Sequence, residues 1–123
     1  MRDLLYVFLG SGLGGVCRFL VGQCFAASGL STARFPWPTF SVNVVGSFLI
    51  GVFCALAARR LISGDVSLLL VVGVCGGFTT FSTFSHATFS LLRTGHQVTA
   101  LCYVVFSVVL GIVAAYAGWR IAR

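Results

Sequence analysis

Long apolar stretches, separated by short polar joints, run along the whole chain. A membrane-spanning helix needs roughly 20 predominantly apolar residues, and four stretches meet that length, at about 4–27, 37–58, 66–91 and 97–119. The joints between them are too short to separate domains. The pattern therefore predicts one domain, residues 1–123, that is an all-α integral membrane protein with four transmembrane helices.

The third stretch is interrupted near residue 80 by glycines, hydroxyls and rings, in the run GGFTTFSTF at 76–84. In a bilayer every backbone polar group needs an internal partner, so a mid-span interruption requires surrounding protein or a polar cavity. The pair Gly76-Gly77 predicts a broken third helix, with carbonyls and amides near residues 74–80 free of helical partners. Such helix ends bind ions in membrane proteins, although a kink packed against a neighbour has the same sequence pattern.

Composition supports the membrane assignment, with 59% apolar and only 8% charged residues. The net charge of +6 comes from eight arginines against Asp3 and Asp65. These arginines are scattered at span ends and form no stripe, so interfacial anchoring explains them better than nucleic-acid binding.

Charge gives this chain only a weak preference for one orientation in the membrane. With four spans, both termini lie on one side. That side carries Arg2, Arg59, Arg60, Arg120 and Arg123, and the other carries Arg18, Arg34 and Arg93. An excess of two arginines is weak under the positive-inside rule. We therefore expect a chain that inserts both ways up.

Several classes of chemistry lack the residues they need. No Asp or Glu lies inside a span, whereas proton-coupled antiporters use a membrane-embedded carboxylate. His86 and His96 have no acid or cysteine partner at suggestive spacing, which argues against acid–base or nucleophilic catalysis. Five cysteines show no ligand spacing, and we expect them to be small buried hydrophobes: Cys17, Cys24, Cys54, Cys75 and Cys102.

What the spans do offer is neutral hydrogen-bonding capacity, which suits an anion that exchanges water for protein donors. Asn43 lies near the middle of the second span, and Thr39 lies one turn earlier on the same face. Both residues are candidates for a polar track. Asn43 also fits a second role, an interhelical hydrogen bond that holds the bundle together.

Rings and hydroxyls alternate after the interruption. Phe81 and Phe84 share a helix face by their spacing. Ordinary packing explains them, but an aromatic ring has a positive edge, so rings presented edge-on can also coordinate a small anion.

Three further residues complete the candidate set. Tyr103 and Ser107 are spaced i, i+4 in the fourth span and face either a polar track or the packed core. Arg18, near one end of the first span, serves either as an interfacial anchor or as a vestibule charge that concentrates anions.

At this point the residues resemble those of the Fluc (CrcB) fluoride channels of microbial membranes, and the similarity covers essentially all four spans. It rests on three motifs: GSGLGGVCRF at 10–19, TFSVNVVGSF at 39–48 and GVCGGFTTFSTF at 73–84. The third motif is highly specific. The chain departs from the usual pattern at Ser11, Gly15 and Pro38, and Ala87 occupies a place where an acidic residue is common.

The resemblance implies more than spacing does. Family members are passive fluoride channels built as antiparallel, dual-topology homodimers with two pores, and they hold a sodium ion at the dimer interface. By matching the motif, the residues of the fluoride path would be Asn43, Phe81, Ser82, Thr83 and Phe84, with Tyr103 and Ser107 from the fourth span. The carbonyls of Gly76 and Thr79 would hold the sodium ion.

We therefore predict a non-enzymatic, fluoride-selective channel in the inner (plasma) membrane, in contact with lipid and working as a homodimer. The alternative is a small proton-coupled multidrug-type antiporter, against which the missing carboxylate argues. A third reading is a membrane subunit that anchors a partner or cofactor. Since His86 is the only histidine within a span, a bis-histidine haem would need two chains.

Overall fold

All regular structure in the computed structural model, which describes residues 1–29 and 34–123, is helical. The elements are α1 (Arg2–Ser28), α2 (Trp37–Ala58), α3 (Gly64–Ser67), a π-helical segment (Leu68–Cys75), α4 (Gly76–Phe78), α5 (Phe81–Arg93) and α6 (Gln97–Ala122). The helices α3, α4 and α5, together with the π-helical segment, make up the third span.

The four predicted spans are confirmed as helical stretches. Those long and apolar enough to cross a membrane are Arg2–Ser28, Trp37–Ala58, Gly64–Arg93 and Gln97–Ala122. Each is longer than the roughly 20 residues that the hydrocarbon core requires, and the observed ends lie within a few residues of the predicted ones. The chain is a multi-pass membrane protein.

Local sequence explains where the helices begin and end. Gly29 ends α1 with a positive φ of 81°, a left-handed conformation that costs glycine little. Pro38 stands in the first turn of α2, where a missing N–H is tolerated. The Ser63 hydroxyl accepts a 3.2 Å hydrogen bond from the amide of Val66 and so caps α3.

The second and fourth spans run parallel and touch backbone to backbone. A Cβ on Gly118 would lie 3.0 Å from the amide nitrogen of Val52, and one on Gly51 would collide with the carbonyl of Ala115. At one end of the pair, Arg59 Nη1 donates to the carbonyl of Ala122 at 2.9 Å. Small residues therefore let these two spans approach each other closely.

The first span packs against the third in the same way. A Cβ on Gly14 would meet the carbonyl of Val74 and would lie 2.7 Å from the amide nitrogen of Phe78. A Cβ on Gly10 would lie 2.8 Å from the Cα of Gly73. The glycines set the depth at which α1 meets the third span.

The third span contains two residues with extended backbone, Thr79 (φ −85°, ψ 156°) and Thr80 (φ −152°, ψ 123°). The prediction that Gly76 and Gly77 are themselves the interruption is wrong in position, because both belong to α4 and Gly76 has helical angles of −63° and −39°. Gly77 instead permits close packing between the third span and α1. A Cβ on Gly77 would lie 2.9 Å from the Cα of Ser11 in α1.

The prediction of buried cysteines holds for only one of the five. Cys75 is 2% exposed, whereas Cys17, Cys24, Cys54 and Cys102 are exposed on the single chain. Burial was the wrong expectation for these four because the outer faces of membrane helices are themselves apolar. A thiol is compatible with such a face.

Candidate functional site

A cleft of about 290 Å³ lies beside the extended residues of the third span, and we call it the first cleft. It is lined by Asn43, Gly46, Ser47, Ile50, Cys75, Thr79, Thr80, Phe81, Phe84, Ser107 and Val108. None of these lining residues in the described ranges is a basic or acidic residue. The first cleft is therefore a neutral space that combines hydrogen-bonding groups with hydrocarbon.

Asn43 binds both backbone groups of Thr80. Its Oδ1 accepts a 3.1 Å hydrogen bond from the Thr80 amide, and its Nδ2 donates to the Thr80 carbonyl at 3.4 Å. An extended residue can present both groups to one partner, as residues do in an antiparallel sheet. A carboxamide NH2 carries two hydrogens, so one donor remains beside the first cleft.

Thr80 is also the N-cap of α5. Its Oγ1 accepts a 3.3 Å hydrogen bond from the Thr83 amide, as an N-cap hydroxyl does. The same hydroxyl lies 3.3 Å from Thr83 Oγ1 and 3.1 Å from Ser82 Oγ. Three hydroxyls thus cluster at the first turn of α5.

These two side-chain acceptors divert the amides that a continuous helix would use. In an α-helix the amide of residue i donates to the carbonyl of residue i−4. In a continuous helix the Thr80 amide would therefore donate to the Gly76 carbonyl, and the Thr83 amide would donate to the Thr79 carbonyl. Here the Thr80 amide donates to Asn43 and the Thr83 amide donates to the Thr80 hydroxyl. The carbonyls of Gly76 and Thr79 therefore lose their helical donors.

The two phenylalanines share a face, as their spacing predicts. Their ring centroids lie 5.7 Å apart with a 33° angle between planes. The Phe84 ring also lies 5.2 Å from that of Tyr103, while Phe81 is 80% exposed on the single chain. Phe81 thus stands at the open side of the first cleft and Phe84 at its inner wall.

Tyr103 and Ser107 carry buried oxygens without protein partners. Tyr103 is 0% exposed and packs edge-on against Phe35, with centroids 5.5 Å apart. Within residues 1–29 and 34–123, neither the Tyr103 hydroxyl nor Ser107 Oγ has a hydrogen-bond partner. A buried hydroxyl without a partner costs free energy, so each oxygen is available to a bound species. Only Ser107 of the two lines the first cleft.

A second cleft of about 340 Å³ lies between α1, the start of α2 and the start of α5. Its lining includes Arg18, Gln23, Thr39, Thr80 and Thr83. Arg18 Nε donates to the carbonyl of Gly77 at 3.3 Å, which ties the guanidinium to the third span. The second cleft therefore combines a largely apolar lining with hydroxyl groups and the positive charge of Arg18.

Comparison with known proteins assigns the chain to a family. The family described as CrcB-like protein, Camphor Resistance (CrcB), matches residues 5–119, nearly the whole chain. The chain belongs to the CrcB family.

Several relatives that share one name match the chain over almost its full length. A protein of Phocaeicola vulgatus named Fluoride-specific ion channel FluC is 47% identical over 118 residues, which covers 96% of each chain. Proteins of the same name from Nitrobacter winogradskyi and Thermus thermophilus are 46% and 43% identical, each over 121 residues and 98% of this chain, and 94% and 95% of their own lengths.

In this CrcB-family chain most of the predicted site residues line one of the two clefts, whereas Gly76, Ser82 and Tyr103 line neither. Asn43, Phe81, Phe84, Ser107 and Thr79 line the first cleft. Arg18, Thr39 and Thr83 line the second. Ser82 is exposed next to Thr80, and Tyr103 stands behind Phe84 without lining either cleft.

The sequence analysis did not name Thr80 as a site residue, although it lines both clefts of this CrcB-family chain. Its position just before an amphipathic helix is an N-cap pattern, which was the available signal. Its backbone pairing with Asn43 depends on residues 37 positions apart, and no local pattern reports that.

Proposed function

We propose that this chain is a passive, fluoride-selective ion channel and not an enzyme. The observation that carries the proposal is its 47% identity, over 96% of the chain, to a protein named Fluoride-specific ion channel FluC. The geometry is compatible with that name, because the first cleft brings neutral donors together without a carboxylate. A membrane-embedded carboxylate is what the antiporter alternative requires.

Fluoride is small and strongly hydrated, so several donors must replace its water together. The first cleft offers the second hydrogen of Asn43 Nδ2, the buried Ser107 hydroxyl and the ring edges beside them. Thr39 and Thr83 supply hydroxyls in the second cleft. The path proposed here runs from the second cleft past Thr80 into the first.

Arg18 serves this path as a vestibule charge. It lines the second cleft, and its guanidinium is fixed by the carbonyl of Gly77. A fixed positive charge in a cleft raises the local concentration of anions. The interfacial-anchor alternative needs no such tether into the third span.

The functional unit is a homodimer. On one chain Phe81 is 80% exposed at the side of the first cleft, and a second copy packed there would close that side. The nearly balanced arginines favour an antiparallel pair in which each chain inserts the opposite way up. The broken third helix, centred on Thr79 and Thr80, then meets its counterpart within the bilayer of the microbial inner membrane.

The sodium ion that the family resemblance implies fits the residues present. Hard cations prefer oxygen ligands, including backbone carbonyls. The carbonyls of Gly76 and Thr79 are the two whose helical donors are diverted, to Asn43 and to the Thr80 hydroxyl. These two carbonyls would hold the ion, and two antiparallel copies would double the ligand count. When bound, the ion supplies positive charge that fixes the two chains together.

Anion efflux from proteoliposomes tests the channel directly. Vesicles loaded with potassium fluoride are opened to potassium with valinomycin, and external fluoride is read with an electrode. Efflux is expected without a proton gradient, while the same vesicles loaded with potassium chloride release chloride far more slowly. Flux that needs a proton gradient would favour the antiporter, and equal rates for both halides would end the claim of selectivity.

The two rings give a first mutational prediction. Phe81→Ile and Phe84→Ile each remove a ring edge from the first cleft while keeping an apolar side chain of moderate size. Fluoride efflux is expected to fall about fivefold or more in each, because a well-placed ring contact is worth about 1 kcal/mol. Phe89→Ile, on the exposed face of α5 outside both clefts, is the matched control. Wild-type efflux in both cleft variants would assign the rings to packing alone.

A further inference from the structure

Two side-chain oxygens keep the third span from closing into a continuous helix. Asn43 Oδ1 accepts a 3.1 Å hydrogen bond from the Thr80 amide, and Thr80 Oγ1 accepts a 3.3 Å hydrogen bond from the Thr83 amide. In a continuous helix these two amides would donate to the carbonyls of Gly76 and Thr79. Each side chain therefore competes directly with one of the two carbonyls.

We infer that Asn43 and the Thr80 side chain are positioning residues for the cation held by the Gly76 and Thr79 carbonyls. The inference rests on the proposed function, because it concerns the sodium ion proposed there. It adds a coupling: the residue that offers a donor to the anion path also sets the affinity of the cation site.

The physical reason for the coupling is that both interactions select one backbone conformation. A cation binds the carbonyls more tightly when their helical donors are absent, and the two side-chain acceptors bind the amides in that same extended state. When the competent state is a fraction of the population, the apparent dissociation constant rises by the inverse of that fraction. Removing either acceptor lets an amide return to its carbonyl and so weakens cation binding.

Substitutions at Thr80 separate the hydroxyl from the rest of the side chain. Thr80→Val keeps the shape and deletes the hydroxyl, and a β-branched residue suits the extended angles of −152° and 123°. Thr80→Ser keeps the hydroxyl and deletes the methyl group. Thr88→Val is the matched control. It also deletes a threonine hydroxyl from α5, but this hydroxyl donates to the carbonyl of Phe84, one turn before Thr88, at 2.9 Å.

The readout is binding of sodium to purified protein in detergent. Unfolding is followed by tryptophan fluorescence while sodium replaces N-methylglucamine at constant chloride, which gives a half-saturating sodium concentration. We expect Thr80→Val to raise that concentration about fivefold, the equivalent of about 1 kcal/mol or one net hydrogen bond. Thr80→Ser and Thr88→Val are expected to keep the wild-type value.

Asn43→Leu is the second variant, and it deletes the other acceptor. It is expected to raise the half-saturating sodium concentration at least as much as Thr80→Val does. Wild-type sodium dependence in both Thr80→Val and Asn43→Leu would overturn the inference. No sodium dependence in the wild-type protein would overturn the cation site together with the inference, while fluoride efflux from the same preparation still tests the channel separately.

Discussion

Asn43→Asp is expected to abolish fluoride efflux, to about one hundredth of the wild-type rate or less. The carboxylate has no N–H to donate to the Thr80 carbonyl, so an oxygen faces that carbonyl where Nδ2 now lies at 3.4 Å. The substitution also places a negative charge in a cleft whose described lining has no basic side chain. A hundredfold loss corresponds to about 2.7 kcal/mol, which is modest for a like charge in a medium of low dielectric.

The measurement is electrode-detected efflux from proteoliposomes, with size-exclusion chromatography to check that assembly is retained. Gln97→Glu makes the same change from amide to acid at the exposed start of α6, outside both clefts. It is expected to keep efflux near the wild-type rate. Normal fluoride flux through Asn43→Asp would remove Asn43 from the anion path.

Gly14→Ala is expected to destabilise the protein by about 3 kcal/mol, at the upper end of what forced overpacking costs. The added Cβ would collide with the Val74 carbonyl and would lie 2.7 Å from the amide nitrogen of Phe78. Both obstacles are backbone atoms, so no side chain can rotate away. α1 must move off the third span, and Arg18, one turn further along, then loses its 3.3 Å bond to Gly77.

Thermal unfolding in detergent measures the effect, and efflux is expected to fall with it. Gly12→Ala is the matched control two residues earlier in the same helix, where an added Cβ meets no atom of the described chain within 4 Å. That variant is expected to be neutral or slightly more stable, because Ala favours a helix over Gly by up to about 1 kcal/mol. Equal unfolding temperatures for the two variants would mean that α1 and the third span can separate at Gly14 with little loss of stability.

Sequence alone was sufficient for the spans because their signal is local. A stretch such as residues 97–119 is apolar on all sides, and its length matches the number of helical residues needed to cross the hydrocarbon core. Small residues such as Gly46, Ser47 and Gly51 permit neighbouring helices to approach closely. A pattern of small residues predicts a close helix contact, but it does not indicate which helix is the partner.

The sequence predicted an interruption of the third span at Gly76 and Gly77, whereas the residues with extended backbone in this motif are Thr79 and Thr80. Glycine is a common helix breaker, yet Gly76 and Gly77 are helical here, and Gly77 leaves room for the backbone of Ser11 in α1. The extended conformation falls instead at Thr79 and Thr80, and the Asn43 side chain forms two hydrogen bonds with the backbone of Thr80. Local propensity was overridden by a partner 37 residues away.

In the candidate site, too, residue spacing predicted only part of the arrangement. Spacing placed Thr39 and Asn43 on one face of α2, and the structure assigns them to different clefts with Thr80 lining both. Tyr103 and Ser107 are spaced alike on α6, but only Ser107 reaches the first cleft because Phe84 covers Tyr103. Periodicity fixes which way a side chain points on its own helix, and neighbouring elements decide what it meets.

By itself the sequence determined the membrane environment, the four helices and the neutral, hydroxyl-rich character of the site, since hydropathy and residue type are properties of the chain alone. Only the tertiary structure decided which two amides leave their helical carbonyls and which oxygens receive them. Those choices depend on distances between spans, and the glycine contacts of α1 and the amide of Asn43 set those distances.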